Sequence, residues 1–112
     1  MDTQLKRGML DICILSTLLE EDSYGYKIIK DLQPFLTISE STLYPILRRL
    51  ESAGYLGVYS AEHNGRLRKY YRIFPPGEER IKEFLQEWQT MMSIYNYIEE
   101  EMKKHEERNV SK

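Results

Sequence analysis

A chain of 112 residues, 41% apolar and 30% charged, is one domain's worth of globular protein, outside the low-hydrophobicity, high-charge range in which chains stay disordered. It has no apolar run near the ~20 residues that span a bilayer, no basic-then-apolar leader, and one cysteine. The composition therefore predicts a cytoplasmic location without a membrane partner, no intrachain disulfide and no cysteine-rich metal centre. The net charge of −2 hides an uneven distribution: residues 1–40 hold four cations and seven anions, residues 41–74 six and two, and residues 75–112 six and nine. A basic middle between acidic flanks is what a local phosphate-binding surface looks like, although chance clustering on a solvated face produces the same count.

Apolar residues at helical spacing from Leu5 to Glu20 (Met9, Ile12, Cys13, Leu15, Leu18 and Leu19, widened by Ile14) predict a buried first helix, with Cys13 as a small core residue. Glu20, Glu21 and Asp22 break the pattern as solvated charge, Ser23 can cap, and Ile28, Ile29 and Leu32 mark a short second helix over Tyr24 to Leu32. After Pro34 and a polar stretch, Leu43, Ile46, Leu47 and Leu50 form the inner face of a third helix that Gly54 ends. Its start depends on Pro45, which cannot donate a helix hydrogen bond. A cap at Ser41 keeps the proline near the first turn and is the favoured reading, whereas a cap at Ser39 places it deeper and implies a kink.

From Leu56 to Ile73 the period becomes alternating, and Asn64-Gly65 at its centre signals a two-residue type I′ hairpin. Counting outward from His63 opposite Arg66 pairs Tyr59 with Tyr70, Val58 with Tyr71 and Leu56 with Ile73. Leu56, Val58, Tyr71 and Ile73 then share one face, able to pack on the helices, and Tyr59, Tyr70 and Arg72 share the other. Pro75, Pro76 and Gly77 close the hairpin, and a long helix runs from about Glu78 to beyond Lys104. Ile81, Trp88, Tyr95 and Met102 recur every seven residues, with Phe84, Met91 and Ile98 between them and Leu85 and Met92 broadening the stripe. Such a helix, roughly 40 Å long, outreaches a body of some 75 residues and needs a second chain to cover that stripe.

Three helices followed by a two-stranded ribbon predict a mainly α protein with a small β-hairpin (α+β): a winged helix-turn-helix over residues 1–75, and a C-terminal dimerisation helix with a polar tail over 76–112. In that arrangement the third helix enters the major groove and the ribbon tip reaches nearby backbone. With the leucine face inward, Ser41, Thr42, Tyr44, Pro45, Arg48, Arg49 and Ser52 lie outward or at the margins. Short hydroxyls suit base edges or phosphates, and Arg48 or Arg49 suits phosphate or guanine. Tyr44 is either a phosphate donor or a stacking residue. At the tip, Asn64, Arg66, Arg68 and Lys69 complete the expected contact set, since three cations within four residues exceed what solubility needs. Trp88, with Met91 and Met92 nearby, is either dimer core alone or one wall, with Met92, of an adaptable site for a flat aromatic compound. Neither acidic cluster has a pocket or a shared direction suited to catalysis, and His63 and His105 lack partners at metal spacing, so neither an enzyme nor a metal or other cofactor is expected. The competing reading is a winged-helix module that dimerises but binds protein instead of DNA.

The run from Ser41 through Leu43-Tyr44-Pro45-Ile46-Leu47-Arg48-Arg49-Leu50-Glu51, then Gly54-Tyr55-Leu56, then Arg68-Lys69-Tyr70-Tyr71-Arg72-Ile73, closely resembles the PadR family of transcriptional regulators. Tyr24-Gly25-Tyr26 followed by Ile28 is similar to that family's second-helix opening, and the likeness covers about residues 5 to 90. It implies a dimeric repressor that binds a near-palindromic operator on double-stranded DNA and answers to a small molecule. The single C-terminal helix with one tryptophan resembles the short, LmrR-like branch, which implies Trp88 facing its symmetry mate across a site for a planar aromatic effector. The run Phe74-Pro75-Pro76-Gly77-Glu78 departs from the family's usual threonine-and-acid run, which puts the start of the last helix in doubt.

Overall fold

The computed structural model describes residues 3–110, with side chains from Arg7 onward, so Ser111 and Lys112 of the expected polar tail lie outside the described residues. The elements follow the order α1 (Thr3–Ser16), α2 (Gly25–Leu32), α3 (Glu40–Ser52), β1 (Leu56–His63), β2 (Arg66–Ile73) and α4 (Pro75–Val110), the order of a winged helix-turn-helix with an added C-terminal helix. By packing, Met1–Ile81 forms one unit and Lys82–Lys112 a second, the division falling within α4.

The core of the first unit is built from helical faces that the apolar spacing announces. Ile14, Leu15, Leu18, Ile28, Leu43, Leu47 and Leu50 are almost wholly buried, and Leu56 and Tyr71 bring one face of the hairpin onto them. The hairpin register is the one that counting from the Asn64-Gly65 turn predicts at every pair, from Leu56 opposite Ile73 to His63 opposite Arg66. Asn64 and Gly65 both adopt positive φ, at 52° and 79°, as a type I′ turn requires. Gly54, at φ 82°, ends α3: the Tyr55 amide reaches the Leu50 carbonyl and the Gly54 amide that of Glu51, a Schellman closure open to a residue without Cβ.

Four boundaries differ from the sequence reading, each for a local reason. Helix α1 stops at Ser16, because the Ser16 and Thr17 hydroxyls take the Ile12 and Ile14 carbonyls at 2.7 Å and the next amides tighten into three-residue turns. The apolar period runs past that point only because Leu18 is buried from a turn. Ser23 does not cap α2. Its backbone pairs with Tyr71 as an isolated bridge against β2, and Tyr24 is the N-cap with no side-chain cap bond. The cap of α3 is Ser39, whose hydroxyl accepts the Thr42 amide at 3.3 Å, not Ser41. Pro45 therefore lies inside the helix, and the carbonyl its missing N–H would have met belongs to exposed Ser41. Finally, α4 begins at Pro75, because prolines fit a first turn whose amides have no helical partners, while the Gly77 and Glu78 amides close on the Phe74 carbonyl.

No described helix is long and apolar enough to cross a membrane, and the described residues contain no cluster of His, Cys, Asp or Glu able to hold a metal ion.

Candidate nucleic-acid interface

Helix α3 turns its four buried residues, Leu43, Ile46, Leu47 and Leu50, inward, and exposes Ser41, Thr42, Pro45, Arg48 and Ser52. The Ser39 hydroxyl gathers those of Ser41, at 2.9 Å, and Thr42, at 3.2 Å, into one small polar cluster at the helix start. Tyr44 is only half exposed. Its ring lies on Gly25, where a Cβ would collide with the phenol, so the glycine lets α2 and α3 approach closely.

The two neighbouring arginines separate, because consecutive helical residues point about 100° apart. Arg48 is exposed and has no ion pair among the described residues. Arg49 turns back to α1, where Nη1 and Nη2 donate to the two Asp11 carboxylate oxygens, both at 2.8 Å. With 40% and 20% of the side chains exposed, this fork ties α3 to α1, and the Asp11 carboxylate stabilises the Arg49 cation. Arg49 was expected to stand outward with Arg48, and the structure gives it an intramolecular partner instead.

The ribbon is divided in the same way. At its base, Asp22 accepts the Tyr59 hydroxyl at 2.5 Å and the Arg72 guanidinium, with Nε at 3.2 Å and Nη2 at 3.0 Å. Donation from Tyr59, then from Arg72, holds the Asp22 carboxyl below the usual carboxylate range, and the same bond raises the Tyr59 phenol. Asp22 is thus an anchor and not the solvated charge that the acidic run suggested. Beyond it the Tyr59 and Tyr70 rings stack at 5.6 Å. Arg68 lies 3.8 Å over the Tyr24 ring, so it is half-buried against the start of α2 and does not hang free at the tip. Asn64, Arg66 and Lys69 are exposed, and neither cation has an ion pair among the described residues. Sequence reasoning missed Asp11, Asp22 and Tyr24, because nothing in local spacing joins residues 37 to 50 positions apart.

In the second unit, Leu85, Met91, Met92, Tyr95, Ile98 and Met102 are all exposed along α4, and so are Ile94 and Tyr97. Phe84 and Trp88, one helical turn apart, are half-buried with near-parallel rings 6.0 Å between centroids. Ile81, assigned to the same stripe by its spacing, is 8% exposed and belongs to the first unit. Cys13 is only partly buried, and that burial raises its thiol pKa.

Residues 14–83 match the model of the PadR-like family of transcriptional regulators. An uncharacterized protein of Lysinibacillus sphaericus is 35% identical over 99 residues, covering 84% of this chain and 91% of its own. Among solved structures, a transcriptional regulator from Clostridium thermocellum is 38% identical with a TM-score of 0.75, covering 86% of this chain and 95% of its own. A PadR-like transcriptional regulator from Bacillus cereus is 31% identical with a TM-score of 0.73, covering 86% and 96%. Bacillus subtilis PadR, solved in complex with operator DNA, shares the fold at 22% identity and a TM-score of 0.64, covering 69% of this chain and 46% of its own. The chain belongs to the PadR-like family of transcriptional regulators, which are not enzymes.

Proposed function

We propose that this regulator is a repressor of the short branch with a single C-terminal helix, which binds an inverted-repeat operator as a homodimer. The observation that carries the reading is the separation of cations in the first unit: Arg49 and Arg72 are neutralised by Asp11 and Asp22, while Arg48, Arg66 and Lys69 have no carboxylate partner among the described residues. Cations spared from internal pairing on an outer helix face and a ribbon are suited to phosphate. The operator complex of Bacillus subtilis PadR supports the same use of the fold. Ser41, Thr42 and Pro45, with Arg48, supply the base-reading surface; Asn64, Arg66 and Lys69 anchor the ribbon; Arg49 and Arg68 act chiefly by holding that surface in shape.

The exposed stripe of α4, from Leu85 to Met102, pairs with its copy about a twofold axis. That pairing sets the two α3 helices one helical turn of duplex apart, about 34–36 Å, or a multiple of it. The parallel Phe84 and Trp88 rings beside exposed Met92 form an aromatic and sulfur-lined shelf suited to a planar aromatic effector, which acts by shifting the spacing of the two reading heads.

Selection of bound sequences from random duplex at fixed salt tests the reading. An inverted repeat with affinity falling steeply with salt is expected, while recovery of no enriched sequence leaves a protein-binding winged helix as the better account. A flat dye should quench Trp88 fluorescence, and unchanged emission at saturating dye counts against the effector site.

A further inference from the structure

Between the start of α2, the Tyr44 ring and β2 lies a cleft of about 630 Å³ whose lining contains no carboxylate among the described residues. Its chemistry is that of donors. Tyr71 is only 5% exposed, yet it lines this cleft, and its hydroxyl has no hydrogen-bond partner among the described residues. The Tyr44 hydroxyl beside Gly25 is likewise unpartnered. The first amides of α2 open here with neither a side-chain cap nor an acid in the first turn, which leaves the positive helix end without an internal anion. Lys69, two residues before Tyr71 on the same face of β2, overhangs the cleft, whereas Arg68 is occupied by the Tyr24 ring.

Burial raises the Tyr71 phenol pKa, chiefly by desolvation, with Tyr44 and Glu51 adding and Arg48 opposing, so the group stays a protonated donor at neutral pH. Among the described residues the buried side-chain polar atom without a partner is Ser23 Oγ, so the Tyr71 hydroxyl keeps access to solvent and to an acceptor brought from outside. An anion with several acceptor oxygens would satisfy two phenols, a row of amides and an ammonium together. The cleft lies beside Tyr44 of the reading helix and Lys69 of the ribbon, the two elements between which a duplex backbone runs in a winged-helix complex.

We propose that this cleft seats one phosphodiester group of duplex DNA, held by the Tyr44 and Tyr71 hydroxyls, the first amides of α2 and Lys69. The proposal rests on the DNA-binding function given above and assigns one fixed phosphate to each half-site. It makes Tyr71 a binding residue as well as a core residue.

The test is Tyr71→Phe, which keeps the buried ring and removes only the oxygen. Fluorescence anisotropy with a labelled random-sequence duplex of about three helical turns is followed across a salt series, alongside thermal unfolding. The expected result is affinity about tenfold lower at an unchanged salt slope, because a neutral donor releases no counterion, with a melting temperature equal to or above that of the parent. Tyr44→Phe should behave alike, and Lys69→Ala should reduce the slope by about 0.9. Parent affinity in both tyrosine variants overturns the seat while leaving DNA binding intact. A parent protein that binds no duplex overturns the function on which the seat rests. If inorganic phosphate raises the melting temperature of the parent but not of Tyr71→Phe, with duplex affinities equal, the cleft takes a free anion and the backbone assignment fails.

Discussion

The two units of this chain solve the burial problem differently. Within Met1–Ile81, three helices and a ribbon bury their apolar residues against one another, down to 0% exposure at Ile14, Leu15, Ile28 and Leu43. Within Lys82–Lys112, a single helix carries a stripe of the same kind of residue, but Ile98 remains 59% exposed and Leu85 as much. One helix has no second layer to pack against, and apolar surface left in water lacks the roughly 25 cal/mol per Å² that burial contributes. The contrast teaches that apolar periodicity reports an obligation to be buried, not where the burying surface comes from. A first unit that buries its own apolar residues and a tail whose stripe stays exposed are what the proposed dimeric DNA binder requires.

That contrast is broken most sharply in the tail. Ile98→Asp places a charge twice across a twofold interface, so association should weaken by about 3–5 kcal/mol or more and the dimer should dissociate at micromolar concentration in sedimentation velocity. A parent protein that is already monomeric there removes the interface from the account. In the first unit, Leu47→Ala should lower unfolding free energy by about 2–5 kcal/mol in urea titrations, by a similar amount at every protein concentration. A loss that vanishes on dilution would mean that the first unit also depends on its partner.

Smaller effects sharpen the division between cations spent inside and cations left for a partner. Arg49→Ala should cost about 1 kcal/mol of stability or less, since the pair with Asp11 is partly solvated, and should weaken duplex binding less than Arg48→Ala does. Equal losses of affinity would place Arg49 at the DNA. The smallest effect concerns pH. The folded-state pKa of Asp22 lies below its ordinary value of 3.8, so its stabilising contribution is complete above that value and is lost as pH falls through the folded pKa. Asp22→Asn should therefore flatten the decline of melting temperature below about pH 4, and an unchanged acid limb would show that the ribbon anchor contributes nothing measurable.

Much of the fold was legible because the signals were local. The Asn64-Gly65 turn, with alternation on both sides, determines every cross-strand pair, and the spacing of Leu43, Ile46, Leu47 and Leu50 determines which side of α3 is buried. The candidate site was legible only by composition: the basic stretch drew attention to α3 and the ribbon, but not to which cations lack a carboxylate partner among the described residues. Cap choice was a near tie, since Ser39 and Ser41 are both competent, and the hydroxyl that reached the Thr42 amide decided it.

By itself, then, the order of residues determined the helices, the hairpin and its register, the inner face of α3 and the unmet apolar stripe of α4, because each follows from the 3.6- and 2-residue periods of the backbone and from one obligatory turn. Only the tertiary structure decided that Arg49 belongs to Asp11, that Asp22 grips Tyr59 and Arg72, that Ser23 pairs with Tyr71, and that Tyr71 lines a cleft with Tyr44 and Lys69. Those partners lie tens of residues apart, and charge pairing and desolvation depend on distances in space that no local pattern encodes.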